Sequence, residues 1–117
     1  MKAVILAGGL GTRLGNLTEA IPKPMVKIDN KPILYHIMST FSGYGINDFI
    51  IALGYKSEVI KDYFLNFKER NSNFTINTKK GDVKFLDEVS NNWNVTLVNT
   101  GIHSMTGGRV KRIQEYI

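Results

Sequence analysis

Short apolar runs that stop at glycine or at polar turn residues alternate along this chain with longer segments of helical periodicity. Three of the runs are rich in β-branched residues, a composition that predicts buried strands. They are residues 2–7, 49–53 and 95–98. Apolar positions recur at helical spacing after Pro32 and after Ser57, two residue types suited to the start of a helix. A last helix is predicted over 109–117.

The alternation of strands and helices predicts an α/β fold with a doubly wound, mostly parallel sheet. Sheets of this kind bind ligands outside the carboxyl ends of their strands, which here are residues 8–13, 54–55 and 100–109. The polar, Asn-rich stretch 69–92 contributes two short β-like pieces, 74–78 and 83–86. The chain shows no internal repeat and no linker, so residues 1–117 form one unit.

Composition removes several classes of protein. The 117 residues include no cysteine, which excludes disulfides, thiolate metal sites and cysteine nucleophiles. The 15 lysines and arginines against 10 acids are scattered rather than gathered in a stripe, so a nucleic-acid partner is not expected. No apolar run approaches the roughly 20 residues that span a membrane, and the N-terminus lacks a secretory core. These features predict a cytoplasmic protein with no membrane partner.

A glycine-rich loop at residues 8–14 follows the first predicted strand. A dinucleotide fingerprint needs a small residue where Leu14 stands, and an acidic residue at the end of a strand about 20 positions later, which this chain lacks. The Gly-x-x-x-x-Gly-Lys-Ser/Thr phosphate loop is absent as well. Two interpretations remain open. The loop is a plain turn, or its backbone N–H groups bind an anion beside Thr12 and Arg13.

Lys23 is the second candidate for chemistry. Pro22 and Pro24 stiffen the backbone on either side of it, so the lysine can be presented to a site at reduced entropic cost. Considered alone, the position is better explained as an ordinary solvent-exposed charge.

Together these motifs resemble the opening signature of the sugar-1-phosphate nucleotidyltransferases, the nucleotide-sugar pyrophosphorylases. The resemblance is carried by residues 6–14, Leu-Ala-Gly-Gly-Leu-Gly-Thr-Arg-Leu, and by 22–25, Pro-Lys-Pro-Met, at a fixed distance behind. Residues 31–38, 93–101 and 104–109 are similar to the glucose-1-phosphate cytidylyltransferase branch of that family. The resemblance implies a Rossmann-like sheet, present here as an N-terminal portion.

The resemblance also implies a set of site residues. Residues 6–10 would line the nucleotide with backbone groups, residues 11–13 would hold the triphosphate, and Lys23 would neutralise the α-phosphate or the sugar phosphate. Ser104 and Arg109 would close the nucleotide from a later loop, although Arg109 is also explained as a surface arginine. Arg13 and Lys23 are the implied catalytic residues. The implied nucleotide-binding residues are Leu6, Ala7, Gly8, Gly9, Leu10, Gly11, Thr12, Arg13, Lys23, Ser104 and Arg109.

The implied reaction is nucleotidyl transfer from CTP to α-D-glucose 1-phosphate, giving CDP-glucose and pyrophosphate for surface-polysaccharide synthesis. Mg²⁺ is the implied cofactor, and no acidic residue ends one of the three predicted strands. The metal ligands and the sugar-binding half are therefore expected downstream of residue 117, and the chain alone is expected to turn over little or nothing. His36 and His103 are not expected to be ligands. The full-length enzyme is expected to be a homo-oligomer.

Two departures keep alternatives open. The branch commonly has Lys-Pro-Lys-Pro where Ile21 begins the corresponding segment, and aspartate where Asn99 stands. A UTP-, dTTP- or GTP-using sugar-phosphate nucleotidyltransferase is one alternative. The other is a non-catalytic, nucleotide-binding module of the same type, which the absence of a strand-end carboxylate favours and the intact Gly-Thr-Arg and Lys23 disfavour.

Overall fold

The computed structural model describes residues 1–7 and 21–100. The elements in chain order are β1 (Lys2–Leu6), a 3-10 turn (Lys23–Met25), β2 (Lys27–Ile28), β3 (Lys31–Pro32), α1 (Ile33–Gly43), β4 (Asp48–Leu53), α2 (Ser57–Leu65), α3 (Phe67–Arg70), β5 (Phe74–Ile76), β6 (Val83–Phe85) and β7 (Asn94–Asn99). The glycine-rich loop and the helix predicted over 109–117 lie outside the described residues.

The central feature is a three-stranded sheet in the order β1-β4-β7. Both pairings are parallel, with Ile50 opposite Val4 on one side and opposite Thr96 on the other. Parallel neighbouring strands need a crossover connection, usually a helix. The helices predicted between the strands therefore predicted parallel pairing. The predicted α/β fold with a parallel sheet is confirmed, and each of the three strand ranges is right to within one residue at either end.

Strand β4 is the centre of the core because it is covered on both faces. Phe49 through Leu53 are almost completely buried, which explains why this strand reads as an unbroken apolar run rather than an alternating one. On one face it packs with Leu34 and Met38 of α1 and Ile60 and Tyr63 of α2. On the other face Ile50 and Ala52 are buried, with Val98 packed against them.

The aromatic residues of α2 and α3 pack in the core, as their helical spacing predicts. Tyr63 is buried, and Phe64 and Phe67 pack against the core cluster. Phe67 stacks on Tyr35 with ring centroids 6.2 Å apart and lies 5.7 Å from the Trp93 ring. Ring pairs at these distances add to the stability that area burial alone provides.

The two helix starts differ in how well the sequence predicted them. Pro32, with φ −58°, flanks the first residue of α1 as expected. The prediction that Ser57 caps the next helix is wrong, because Ser57 is itself the first helical residue and Lys56 occupies the cap position in a left-handed conformation with φ 51°. The turn is closed by the backbone instead, since the Gly54 carbonyl accepts the Ser57 N–H at 3.2 Å.

Two antiparallel hairpins stand outside the central sheet. In the first, β2 pairs with β3 through Asp29 and Asn30, which have φ values of 52° and 65°, the positive pair that a type I′ turn requires. In the second, β5 pairs with β6 in the Asn-rich stretch, with Phe74 opposite Phe85. The β-like pieces predicted there are confirmed with shorter bounds.

Within the described residues, 1–7 and 21–100, no helix is both long and apolar enough to cross a bilayer.

Candidate functional site

The carboxyl ends of the three parallel strands are tied together one residue beyond the sheet. The Ala7 N–H donates to the Ala52 carbonyl at 2.9 Å, and the Thr100 N–H donates to the Leu53 carbonyl at 2.9 Å. The ends of β1 and β7 are therefore both fixed to the end of β4. This edge of the sheet, made of Leu6, Ala7, residues 53–56 and Thr100, is called the carboxyl edge below.

Both predicted nucleotide-binding segments follow directly, in sequence, from residues of the carboxyl edge. The loop that begins at Gly8 follows Ala7, and the segment that contains Ser104 and Arg109 follows Thr100. Only β4 separates the two exit points, which places them roughly 10 Å apart from the usual spacing of neighbouring strands. A separation of that size can be bridged by one bound nucleotide.

Of the predicted site residues, Leu6, Ala7 and Lys23 are described. Leu6 is 40% exposed and Ala7 is 5% exposed. The Ala7 N–H is already used by the sheet, so a ligand can meet this residue only through its carbonyl or methyl group. The others lie outside the described residues, so their convergence on a nucleotide stays a prediction. They are Gly8, Gly9, Leu10, Gly11, Thr12, Arg13, Ser104 and Arg109.

Lys23 is exposed on a turn whose backbone is held at several points. The Pro22 carbonyl accepts the Met25 N–H at 2.9 Å, and the Lys23 carbonyl accepts the Val26 N–H at 3.1 Å. The Met25 side chain is buried in the core cluster, and the turn packs against α1. The two flanking prolines predicted a stiff backbone around this lysine. The structure adds a second cause, the buried methionine side chain that anchors the turn.

Thr100 was not singled out as a positioning residue by the sequence, although it is fully buried at the carboxyl edge. Its Oγ1 donates to the Leu53 carbonyl at 3.0 Å, the same carbonyl that accepts its N–H. The residue thereby fixes the point from which the segment with Ser104 and Arg109 departs. The sequence feature that could have pointed to this residue is a threonine placed directly after a predicted strand.

We expect Thr100→Val to lower the free energy of unfolding by about 1 kcal/mol, because the shape is kept and one buried hydrogen bond is lost. Urea denaturation of both proteins measures the difference. Thr100→Ser keeps the hydroxyl and should recover most of the loss of hydrogen bonding. Equal stability of Thr100→Val and the parent chain would show that the hydroxyl does not hold this edge.

A further cation at the carboxyl edge was not predicted from the sequence. Lys56 has its Nζ 5.6 Å from the centroid of the Tyr55 ring, in the turn between β4 and α2. Residues 54–55 were predicted to lie at the ligand-binding edge, and the left-handed residue that follows them is part of the same turn. The turn thus places a lysine beside the exit points of the two predicted nucleotide-binding segments.

No metal centre is formed by the residues that the structure describes. They include no group of three or more His, Asp or Glu side chains that could hold an ion. Asp48 stands at the start of β4, on the edge opposite the carboxyl edge, and accepts a hydrogen bond from Asn94 Nδ2 at 3.3 Å. His36 Nε2 contacts the Ile28 carbonyl at 2.6 Å, which gives it a structural partner. The described residues thus do not fit Mg²⁺, and His103 lies outside them.

The parallel sheet defines an α/β domain, a class of fold that binds ligands at the carboxyl ends of its strands. Residues 2–95 match the family model described as Nucleotidyl transferase. The chain belongs to this family.

The chain is also similar to individual members of this family. The chain is 55% identical over all 117 residues to glucose-1-phosphate cytidylyltransferase of Salmonella typhimurium, covering 100% of this chain and 46% of that protein. It is 44% identical, over the same shares, to the probable glucose-1-phosphate cytidylyltransferase of Bacillus subtilis. The crystal structure of HddC from Yersinia pseudotuberculosis complexed with GMP-PN is 32% identical with a TM-score of 0.67, covering 99% of this chain and 42% of that one. The chain therefore spans about half the length of the curated relatives it matches.

Proposed function

We propose that this chain forms the nucleotide-binding part of an enzyme that transfers a cytidylyl group from CTP to glucose 1-phosphate, giving CDP-glucose and pyrophosphate. The observation that carries the proposal is the 55% identity with the Salmonella cytidylyltransferase along the whole of this chain. The carboxyl edge supports it, since it gives two segments with phosphate-binding residue types a common origin.

The chemistry asked of these residues is mainly electrostatic. In the proposed reaction a phosphate oxygen of the sugar phosphate attacks the α-phosphorus of the triphosphate and the bond to pyrophosphate breaks. The barrier comes from bringing together two polyanions, which positioned cations and N–H donors lower. In the proposal Thr12 and Arg13 hold the triphosphate and Lys23 offsets the charge on the α-phosphate. Ser104 and Arg109 close the nucleotide from the side of β7.

The proposal includes Mg²⁺, which would stabilise charge on the phosphate oxygens. The residues that the structure describes provide no set of carboxylates that would hold it. A role in surface-polysaccharide synthesis in the cytoplasm and a homo-oligomeric full-length enzyme belong to the same proposal and rest on the family resemblance.

A chimera tests the function of these residues in an active context. Residues 1–117 replace the matching segment of the Salmonella typhimurium enzyme, which the full-length alignment of this chain makes possible. We expect pyrophosphate release that requires both CTP and glucose 1-phosphate, measured by a coupled phosphate assay. A folded chimera that binds CTP without releasing pyrophosphate would support a non-catalytic nucleotide-binding module instead.

A guanylyltransferase is the second candidate, because the structurally similar HddC was solved with GMP-PN. Thermal shifts of the chimera with CTP, UTP, dTTP and GTP distinguish the bases, since a ligand that binds the folded form raises its melting temperature. We expect CTP to give the largest shift at equal concentration. A larger shift with GTP would replace the cytidylyl assignment by the guanylyl one.

A further inference from the structure

A polar cavity of about 200 Å³ lies between the β2–β3 hairpin on one side and α2 and the residues after α3 on the other. Its lining includes Lys27, Asn30, Lys31, Tyr63, Arg70 and Asn71. Among the described residues of the proposed nucleotide site, Leu6, Ala7 and Lys23, none lines this cavity. Nothing in the proposed reaction uses these side chains.

The charge of this cavity is one-sided. Three of its lining residues are cations, and among the described lining residues none is acidic. A cleft lined by a single sign of charge concentrates ions of the opposite sign. The cavity is thus suited to an anion and unsuited to a metal ion or an amine.

Two of the three cations are held in position by neighbouring groups. Lys31 Nζ donates to Asn71 Oδ1 and lies 5.1 Å from the centroid of the Tyr35 ring. Asn71 is itself fixed, since its Nδ2 donates to the Phe67 carbonyl at 2.8 Å. The Arg70 guanidinium carbon lies 5.7 Å from the centroid of the Tyr63 ring, within the range of a cation–π contact. Cations that are already ordered lose less entropy when they bind a ligand.

Tyr63 supplies a neutral donor at the wall of the same cavity. The residue is only 5% exposed, and its hydroxyl makes no well-formed hydrogen bond with the described residues, although the Asn71 side chain lies near enough to lower its pKa. Burial raises the pKa of this hydroxyl, against smaller opposing effects of the Asn71 side chain and Arg70. It therefore keeps its proton at neutral pH. A shielded hydroxyl without a well-formed hydrogen bond is costly, and an oxyanion bound in the cavity would accept one.

We propose that this cavity is a binding site for a small phosphate anion, inorganic phosphate or pyrophosphate, held by Lys27, Lys31 and Arg70 with the Tyr63 hydroxyl as a further donor. A volume of about 200 Å³ accommodates a small ligand and lies below the roughly 300–1,000 Å³ of sites for drug-sized molecules. The planar fork of an arginine beside two lysines matches the oxygens of a phosphate.

Titration of the ¹⁵N-labelled chain with inorganic phosphate and, separately, pyrophosphate tests the site at constant ionic strength. We expect saturable NMR shifts centred on Asn30, Arg70 and Asn71. The double variant Lys27→Gln/Arg70→Gln removes two exposed cations and should weaken binding at least about tenfold, the effect expected from losing hydrogen bonds to charged groups. Tyr63→Phe should weaken it about threefold to tenfold, and unchanged affinity would remove the hydroxyl from the site.

Two control variants distinguish binding in this cavity from a response to net charge and from binding at the nucleotide site. Lys61→Gln removes a charge of the same type from α2, outside the cavity, and should leave the dissociation constant within about twofold. An equal loss in Lys61→Gln would mean that phosphate responds only to net charge, which overturns the proposal. Lys23→Ala should leave these shifts intact. If it abolishes them, the anion binds at the proposed nucleotide site and the cavity is not the binding site.

A third ligand tests the size argument. Glucose 1-phosphate carries the same phosphate group on a larger body and should bind at least about tenfold more weakly than inorganic phosphate. Binding of glucose 1-phosphate at the cavity with no binding of either small anion would overturn the proposed ligand class. Because the chimera's turnover does not enter these measurements, the cavity proposal and the proposed function can fail independently.

Discussion

Replacing Lys23 by alanine should lower the rate of nucleotidyl transfer by the chimera at least about a hundredfold, the range seen when one preorganised donor is removed from an active site. The backbone around the lysine is held by the buried Met25 and by the Met25 N–H bond to the Pro22 carbonyl. The substitution therefore removes the charge without releasing the turn. Pyrophosphate release under saturating CTP and glucose 1-phosphate measures the effect, and Arg13→Ala should cause a loss of the same size.

Lys79→Ala is the matched control for this experiment. Lys79 is exposed near the turn of the β5–β6 hairpin, and its N–H donates to Asn77 Oδ1 at 3.1 Å, a bond that the substitution retains. Turnover of this variant should stay within about twofold of the parent chimera. Circular dichroism of all variants checks folding. Near-normal turnover by folded Lys23→Ala would remove this lysine from the mechanism.

The central strand shows why the core of this fold could be predicted from sequence. Residues 49–53 form a continuous apolar run, a pattern that a strand produces only when both faces are covered. The structure buries all five and places β1 and β7 on either side. Short runs of this kind, separated by helical periodicity, carry most of the information about a parallel α/β sheet.

Local backbone conformation was harder to predict than the core. Ser57 is a good capping residue by type, yet the left-handed Lys56 takes that position, because the turn after β4 is closed by backbone hydrogen bonds. A lysine in a left-handed conformation carries a steric cost that no sequence pattern indicates. The strands of the β2–β3 hairpin have two residues each, which is too short to show the alternation from which strands are predicted.

Of the two candidate sites, one could be predicted from the sequence and the other could not. Lys23 could be found from the sequence because the two prolines that stiffen its backbone are its immediate neighbours. The phosphate cavity was missed because tertiary packing assembles it. Lys31 and Asn71, which meet there, are 40 positions apart, and each is an ordinary polar residue in its own segment. Residues that share a motif can be recognised as a site from the sequence, whereas residues that only the fold brings together cannot.

Removing the Phe49 side chain should produce the largest loss of stability. Phe49 is fully buried at the start of β4, and its ring meets Phe41 at 6.3 Å and Trp93 at 5.9 Å between centroids. Phe49→Ala leaves a cavity between the sheet and α1 and should lower the free energy of unfolding by about 3–5 kcal/mol. Urea denaturation of the chain measures it.

Phe74→Ala is the matched control for the loss of unfolding free energy expected of Phe49→Ala. Phe74 makes the same kind of ring contact, at 6.0 Å from Phe85, but it lies on the outer hairpin and is 40% exposed. Its loss should cost about 1–2 kcal/mol, the sum of a partial burial term and one aromatic pair. Equal losses in the two variants would show that β4 does not organise the core. Because the ends of β1 and β7 are hydrogen-bonded to the end of β4, Phe49→Ala should also weaken nucleotide binding by the chimera, whereas Phe74→Ala should not.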